Sequence, residues 1–309
     1  MDNLKKPPFP WFGGKSKVAH VVWNALGNVN CYVEPFAGSL AVLLHRPHTP
    51  NIEIVNDIDS YLANFWRAIS NEPEQVAYWA DWPKNETDHH ARHIWLLGQS
   101  EFREKMISDP DFYDVKIAGW WVWGQSMKIG RGWCEAKKYY KSGEEPLVPS
   151  RSIPELDHGR GVHRKSTRNL VEYFSSYKER MRLVNVTCGD WKRVNKDNVI
   201  DRHGLTGVFL DPPYELKGRY SVYANETNVL DEVREWALEN GKKPLLRIAL
   251  CGYDTEHAQL TEAGWTTYRW TASGGYARKA HHLKGKENAK RETIWFSPHC
   301  LQIDLRGSK

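Results

Sequence analysis

Two hydrophobic periods alternate along the chain. The run Gly207-Val208-Phe209-Leu210 is unbroken by charge and stops at Asp211-Pro212-Pro213-Tyr214. A short apolar run closed by prolines reads as a buried strand whose ladder the prolines end. Strand-like runs also occupy 31–34, 52–55, 183–187 and 245–250, with closing strands at 265–270 and 293–296. Between them apolar residues recur at helical spacing. Leu62, Phe65, Trp66 and Ile69 form one such stripe; Leu170, Phe174, Tyr177 and Met181 form another; Val229, Val233, Trp236 and Ala237 form a third. Strands interleaved with helices predict an α/β fold, and open α/β sheets take their ligands at the carboxyl ends of the strands. Asp211 and Tyr214 therefore stand on a stiff loop at a ligand-binding edge.

The alternation lapses between about 68 and 182, so the elements on either side form one sheet and this segment is an inserted lobe. Residues 72–114 read as helical and acidic, with Ile94, Leu97 and Phe102 offered as an apolar face. His89, His90 and His93 raise the question of a metal, but they lack the H-E-x-x-H spacing and a solvated helix end is the expected setting. Residues 118–134 are a tryptophan-rich helix breaking into a glycine-punctuated loop with Lys128 and Arg131. A loop rich in Pro, Gly and Ser follows and carries Arg160, Arg164, Lys165 and Arg168; a second basic loop spans 274–291 and includes Arg278 and Lys279. Basic loops of this kind are candidates for phosphate contacts.

Composition narrows the class. The chain has 309 residues, 40% hydrophobic and 26% charged, enough for a folded core and a second lobe. A net charge of +5 permits a polyanionic partner without requiring one. Fifteen tryptophans supply core and, where exposed, rings able to stack on bases. The cysteines, Cys31, Cys134, Cys188, Cys251 and Cys300, are odd in number and form no C-x-x-C pair, which argues against a disulfide framework and a cysteine zinc site. The amino end has no long apolar run and no stretch approaches a membrane span, so neither signal peptide nor membrane is expected and a reducing cytoplasm is.

Several chemistries are excluded by missing motifs. Walker A spacing, G-x-G-x-x-G and G-x-S-x-G are all absent. What remains is a loop at residues 5–17 with Gly13-Gly14 beside Lys15, then a strand, a glycine turn Pro35-Phe36-Ala37-Gly38-Ser39 and an apolar helix. Asp57, at the end of the second strand, lies at the distance from Gly38 where an acid meets ribose hydroxyls. Asp190, in Cys188-Gly189-Asp190-Trp191, is another acid at a sheet edge, able to accept from an adenine amino group. At the proline loop, Asp211 can accept one hydrogen of an exocyclic amine, the Pro212 carbonyl the other, and Tyr214 can stack on the ring that bears it. A methyl donor on the glycine-turn side would then be attacked in line, with positioning supplying the rate. A base in a duplex must rotate out to reach such a loop.

These elements, in this order, resemble the adenine-N6 DNA methyltransferases of the Dam type, the D12 class. Trp11-Phe-Gly-Gly-Lys15 is similar to the family's amino-terminal cofactor motif, with Phe12 where alanine is common. Glu34-Pro-Phe-Ala-Gly-Ser39 resembles its first motif. Asn56-Asp-Ile-Asp59 resembles the acid motif, with Asp59 where asparagine is common. Cys188-Gly-Asp-Trp191 resembles the motif whose acid meets the cofactor adenine, and Asp211-Pro-Pro-Tyr214 the catalytic one. The resemblance covers roughly 5–66 and 183–297.

It implies a Rossmann-like class I methyltransferase fold: a mixed seven-stranded sheet with helices on both faces. The catalytic domain would be discontinuous, 1–67 with 183–309, and the mainly helical and loop insert at 68–182 would recognise the target. It implies S-adenosyl-L-methionine as donor and S-adenosyl-L-homocysteine as product. Trp11, Lys15, Phe36, Ala37, Gly38, Ser39, Asp57, Asp190 and Asp211 would line the cofactor site, and Asp211, Pro212 and Tyr214 would hold a flipped adenine. Double-stranded DNA is the implied partner, with no metal, and the protein is expected as a monomer or weak dimer in a bacterial or phage-infected cell. The insert does not resemble the usual Dam insert, so GATC is not implied. Cytosine N4 in DNA and adenine N6 in RNA are the alternatives of like chemistry. A silent DNA-binding module and a nicotinamide oxidoreductase are more distant ones. Restriction partner, phage self-protection and regulatory methylation all stay open.

Overall fold

The computed structural model describes residues 6–11, 13–127, 133–134, 161–164, 169–214, 226–271 and 291–303, the side chains of 226–228 excepted. Among the sequence candidates, Lys128, Arg131, Arg160, Lys165, Arg168, Arg278 and Lys279 lie outside these residues.

In chain order come α1 (Ala19–Leu26), β1 (Cys31–Glu34), α2 (Ala41–Leu44), β2 (Ile52–Asp57) and α3 (Ser60–Asn71). Then follow α4 (Pro73–Ala80), α5 (Glu86–Leu97), α6 (Phe102–Ser108), α7 (Val115–Gln125) and α8 (Leu170–Met181). The sheet resumes with β3 (Val184–Cys188), α9 (Asp197–Ile200), β4 (Thr206–Leu210), α10 (Glu226–Asn240), β5 (Leu246–Tyr253), α11 (Ala258–Glu262), β6 (Thr266–Arg269) and β7 (Glu292–Phe296). The seven strands form one sheet in the order β3-β2-β1-β4-β5-β7-β6. It is mixed: β1 runs parallel to β2 and β4, β4 parallel to β5, and β7 antiparallel to β5 and β6. Among the described residues the strands come from before residue 66 or after 183, as the pattern predicts, though β2 and β5 run a few residues longer at their carboxyl ends.

The chain divides into two compact units, Lys15–Asn56 with Asp190–Lys309, and Met1–Gly14 with Asp57–Gly189. In the first, β4 is buried at every residue, which is why its sequence is continuously apolar rather than alternating. Val33, Val208, Leu210, Ile248, Leu250 and Trp295 build the core around it, and Val233 and Ala237 of α10 pack onto them.

The second unit is helical. Its central element is α7, where Ile117–Gly119 and Trp121–Gln125 are all buried. A helix apolar on every side belongs inside a bundle. Phe9 joins it, with ring centroids 5.0 Å from Trp121, 5.3 Å from Phe65 and 5.7 Å from Trp66. The proline-rich segment is thereby anchored rather than trailing as an arm. Gln125 donates to the Pro10 carbonyl at 3.0 Å, and the Tyr177 hydroxyl to that of Lys6. The four residues of the 170–181 stripe are all buried in α8, as expected. At α3, Asp59 is the N-cap and accepts from Tyr61 and Leu62 N–H groups at 2.9 and 3.3 Å. Asp and Asn cap equally well, which accounts for the aspartate here.

The inward face of α5 corrects the sequence reading. Ile94 is 44% exposed, while His89, Arg92 and Leu96 face inward. His89 is not on a solvated helix end: it stacks on Trp133 at 4.4 Å. Arg92 sits over the rings of Trp123, Trp120 and Trp82 at 4.1, 5.0 and 5.4 Å. Ring faces attract cations, so the tryptophans make polar residues tolerable where an aliphatic face was expected. Among the described residues no cluster could hold a metal ion, and no helix is long and apolar enough to cross a membrane.

Gly119 of α7 lies tight against α4. A Cβ there would collide with Trp79 and lie 2.8 Å from the Val76 carbonyl oxygen. Alanine normally stabilises a helix interior by about 1 kcal/mol over glycine. Here overpacking should reverse the sign. Gly119→Ala is expected to lower the unfolding free energy by about 1–3 kcal/mol, read from urea midpoints at constant m-value.

Candidate active site

The site of the sheet unit begins where three strands end. β1 ends at Glu34, β4 delivers Asp211, and β5 ends at Tyr253. Because β7 is antiparallel, its first residue comes to the same edge, and Glu292 is in register with Tyr253. Cys251 and Tyr253, two apart on β5, share a face.

Lys15 and Asp211 are the centre of this edge. The Lys15 ammonium lies 2.8 Å from Asp211 Oδ2 and is 3% exposed. Burial opposes its charge, but its acidic neighbours, Asp211 foremost, outweigh that and hold its pKa above the ordinary lysine value. The same ammonium lies 5.2 Å from the centre of the Tyr214 ring. The Tyr214 hydroxyl is 3.0 Å from Asp211 Oδ1 and 2.9 Å from Glu292 Oε2. Its ring meets Tyr253 edge-on at 4.9 Å, and the Arg291 guanidinium covers Tyr253 from 5.2 Å. Pro212 is buried beside these groups.

Burial is the leading cause of the protonation states here. It pushes the Tyr214 phenol well up, and the neighbouring Asp211 adds to it. It pushes the Cys251 thiol well up too, so this cysteine is no nucleophile despite its place. Glu292 is raised by burial and by Asp211, against the opposing Lys15 charge. Glu34, 2% exposed, is raised well above a normal carboxylate by burial, though it accepts from the Tyr32 hydroxyl at 2.9 Å.

The glycine turn after β1 is fixed from both sides. Ala37 N–H donates to the Asn56 carbonyl at 2.9 Å, and Asn56 Nδ2 to that of Pro35 at 3.2 Å. Gly38 has φ 47°, where a side chain is disfavoured, and Leu40 takes φ 55° despite its bulk. Complete burial of the Leu40 side chain offsets that strain. Ser39 is buried; Phe36 is half-buried and stacks on Trp191 at 5.9 Å and 28°. Asp190 is exposed, with one carboxylate oxygen accepting from Lys192 N–H at 2.8 Å.

Of the predicted residues, Lys15, Asp211 and Tyr214 are brought into contact, and Phe36 and Asp190 flank Trp191 through stacking and sequence. In the helical unit, half-buried Trp11 packs edge-on against Phe9, and Asp57 Oδ1 accepts from Asp59 N–H at 2.9 Å. Arg164 is half-buried, its N–H on the Gly161 carbonyl at 3.3 Å. Sequence reasoning missed Glu292, Tyr253 and the site role of Cys251. One signal existed: Glu292 is an acid opening an otherwise apolar strand.

A mixed sheet of this order, with a glycine turn after β1 and an acid-proline loop after β4, defines a Rossmann-like methyltransferase fold. Residues 11–115 match the family of D12 class N6 adenine-specific DNA methyltransferases, roughly a third of the chain. This stretch is similar to the D12 class N6 adenine-specific DNA methyltransferases, a family that acts on DNA and implies S-adenosylmethionine as donor. No curated protein matches it. The matched stretch contains the motifs of Trp11–Lys15, Glu34–Ser39 and Asn56–Asp59, and favours adenine N6 in DNA over cytosine N4 or RNA.

Glu34 gives a pH test. Its pKa is raised on folding, so its contribution to stability is complete below the unfolded value of about 4.3 and is lost as pH climbs from there toward the folded one. Glutamine cannot titrate. The unfolding free energy of the wild type minus that of Glu34→Gln should therefore fall with rising pH across this window, measured by urea titrations at a series of pH values.

Proposed function

We propose that the Asp211-Pro212-Pro213-Tyr214 loop holds the exocyclic amine of an adenine rotated out of duplex DNA and presents its N6 lone pair for methylation. The observation that carries this is the way Asp211 is held. A carboxylate has about four lone-pair sites. Lys15 and Tyr214 engage one on each oxygen, which leaves acceptor capacity on a carboxylate that cannot swing. Asp211 then accepts one amine hydrogen and the Pro212 carbonyl the other. Both bonds draw the amine out of conjugation with the purine and turn its lone pair outward. Tyr214 supplies a ring for the base to stack on, worth roughly 1–3 kcal/mol per base in other systems. Asp211, hydrogen-bonded to that amine, is placed to accept the proton that N6 sheds after transfer.

The residues of the glycine turn fit a nucleoside-bearing donor. Gly38 offers a backbone that a ligand can approach closely, the Phe36 ring is half open to stacking, and Asp190 is exposed with a second oxygen to offer. When bound, S-adenosylmethionine supplies an electrophilic methyl group and leaves as S-adenosylhomocysteine. Phe36, Ala37, Gly38, Ser39 and Asp190 would hold it, with Trp11, Lys15 and Asp57 assigned through their motifs. The recognition of DNA falls to the insert at 68–182 and its basic loops, and the protein acts as a monomer or weak dimer.

Two experiments follow. Asp211→Ala and the isosteric Asp211→Asn should each lose methyl transfer to DNA, by about a hundredfold or more, while S-adenosylmethionine binding by calorimetry is retained. Near wild-type turnover in a labelled-methyl assay with either would reject the loop as the amine clamp. Neutralising Arg160, Arg164 and Lys165 together should weaken DNA binding and make its log–log salt dependence shallower by roughly 0.9 per phosphate contact removed. An unchanged slope would reject that loop as a backbone contact.

A further inference from the structure

The Tyr214 hydroxyl has one hydrogen and two carboxyl neighbours, Asp211 Oδ1 at 3.0 Å and Glu292 Oε2 at 2.9 Å. It cannot donate to both. If both acids were ionised, one would face the phenol oxygen with no proton between them. The second negative charge would also be buried: Glu292 is 7% exposed, and Lys15, the cation that acts on it among the described residues, already pairs with Asp211 at 2.8 Å. Ionised carboxylates so enclosed are costly, and a shared proton resolves the conflict.

We propose that Glu292 is a positioning residue of the methyl-transfer site: as a neutral carboxylic acid it donates to the Tyr214 oxygen, which commits the single Tyr214 hydrogen to Asp211. The proposal rests on the reading of Asp211 and Tyr214 as the amine clamp. The groups that face Glu292 are consistent with it. The loop after β4 supplies Asp211 and Tyr214, the amino-terminal segment Lys15, and β5 supplies Cys251 and its register partner Tyr253. Burial and the Asp211 charge favour the neutral acid and outweigh the Lys15 charge and the Tyr214 hydrogen bond, which favour the ionised one. Neighbouring Arg291 is turned to Asp254, 2.9 Å from its Oδ1. The Glu292 backbone is fixed as well, its carbonyl accepting from Trp270 N–H at 3.1 Å.

The result is a one-way chain of donors, Glu292 to Tyr214 to Asp211. It fixes the rotation of the phenol hydrogen and therefore which lone pair of Asp211 Oδ1 is already used. Glu292 touches no substrate atom; it acts by holding the two residues that do. Buried carboxylic acids kept neutral so that they can donate are a known catalytic device.

Glutamine and alanine separate this role from simple packing. Glutamine keeps a donor of similar shape; alanine removes it and leaves the phenol oxygen unsatisfied. In single-turnover methyl transfer to DNA, Glu292→Gln should stay within a few-fold of wild type, and Glu292→Ala should be slower by about tenfold or more with S-adenosylmethionine affinity unchanged. A glutamine variant as slow as alanine, or an alanine variant as fast as wild type, would overturn the proposal. The infrared difference spectrum of wild type minus Glu292→Gln at neutral pH supplies a reading free of activity. It should contain a neutral-carboxyl C=O band, since buried Glu34 contributes equally to both proteins and cancels. Absence of that band would also overturn the proposal. Should the wild type transfer no methyl group to DNA, the clamp reading fails, while the infrared result still decides the state of Glu292. If the alanine variant does not fold, the glutamine variant and the spectrum suffice.

Discussion

The site of the sheet unit depends on the ion pair of Lys15 and Asp211. A buried ammonium without a partner is among the costliest things a protein can contain. Lys15 is enclosed almost completely, so its charge survives chiefly because Asp211 lies against it. That requirement fixes two distant pieces of chain at once, the start of the unit at residue 15 and the end of its central strand at residue 211. The pair should not be valued as a stabilising bridge, since desolvation consumes much of the Coulombic gain. Its value is geometric: it leaves Asp211 one orientation, and Tyr214 follows because its hydroxyl rests on the same carboxylate.

Most of the sheet was legible in the sequence because most strands are short runs rich in apolar residues and stopped by a proline, a glycine or an acid. The unbroken run at 207–210 predicted a buried strand, and β4 is buried throughout. The catalytic motif was legible for a related reason: Asp211-Pro212-Pro213-Tyr214 is contiguous, so its chemistry did not depend on tertiary contacts. Glu292 lies far along the chain from Tyr214, and only the antiparallel turn of β7 joins them. No local pattern records such a meeting, and the acid at the head of an apolar strand was a faint sign of it.

The helical unit resisted sequence reading for another reason. Periodicity arguments count aliphatic and aromatic positions as inside and charged ones as outside. In α5 that rule fails because the interior it faces is made of indole rings. Arg92 and His89 are drawn in by those rings, while Ile94 turns outward. Lys116 likewise lies over Trp95 and Trp120, at 4.4 and 4.5 Å. A core rich in tryptophan accepts cations that a core of leucine would reject, and the hydrophobic pattern then marks the wrong face.

The cysteines carry a practical consequence. Cys31, Cys134, Cys188 and Cys251 are buried, and burial raises the thiol pKa of Cys31, Cys188, Cys251 and Cys300. Thiolate is the form that reacts with maleimides and iodoacetamides. A cysteine introduced on an exposed position of α5 or α6 would therefore outcompete the native ones for a fluorophore or spin label. Binding of nucleic acid could be followed in the unmodified background, without first removing the thiol that packs beside Asp211.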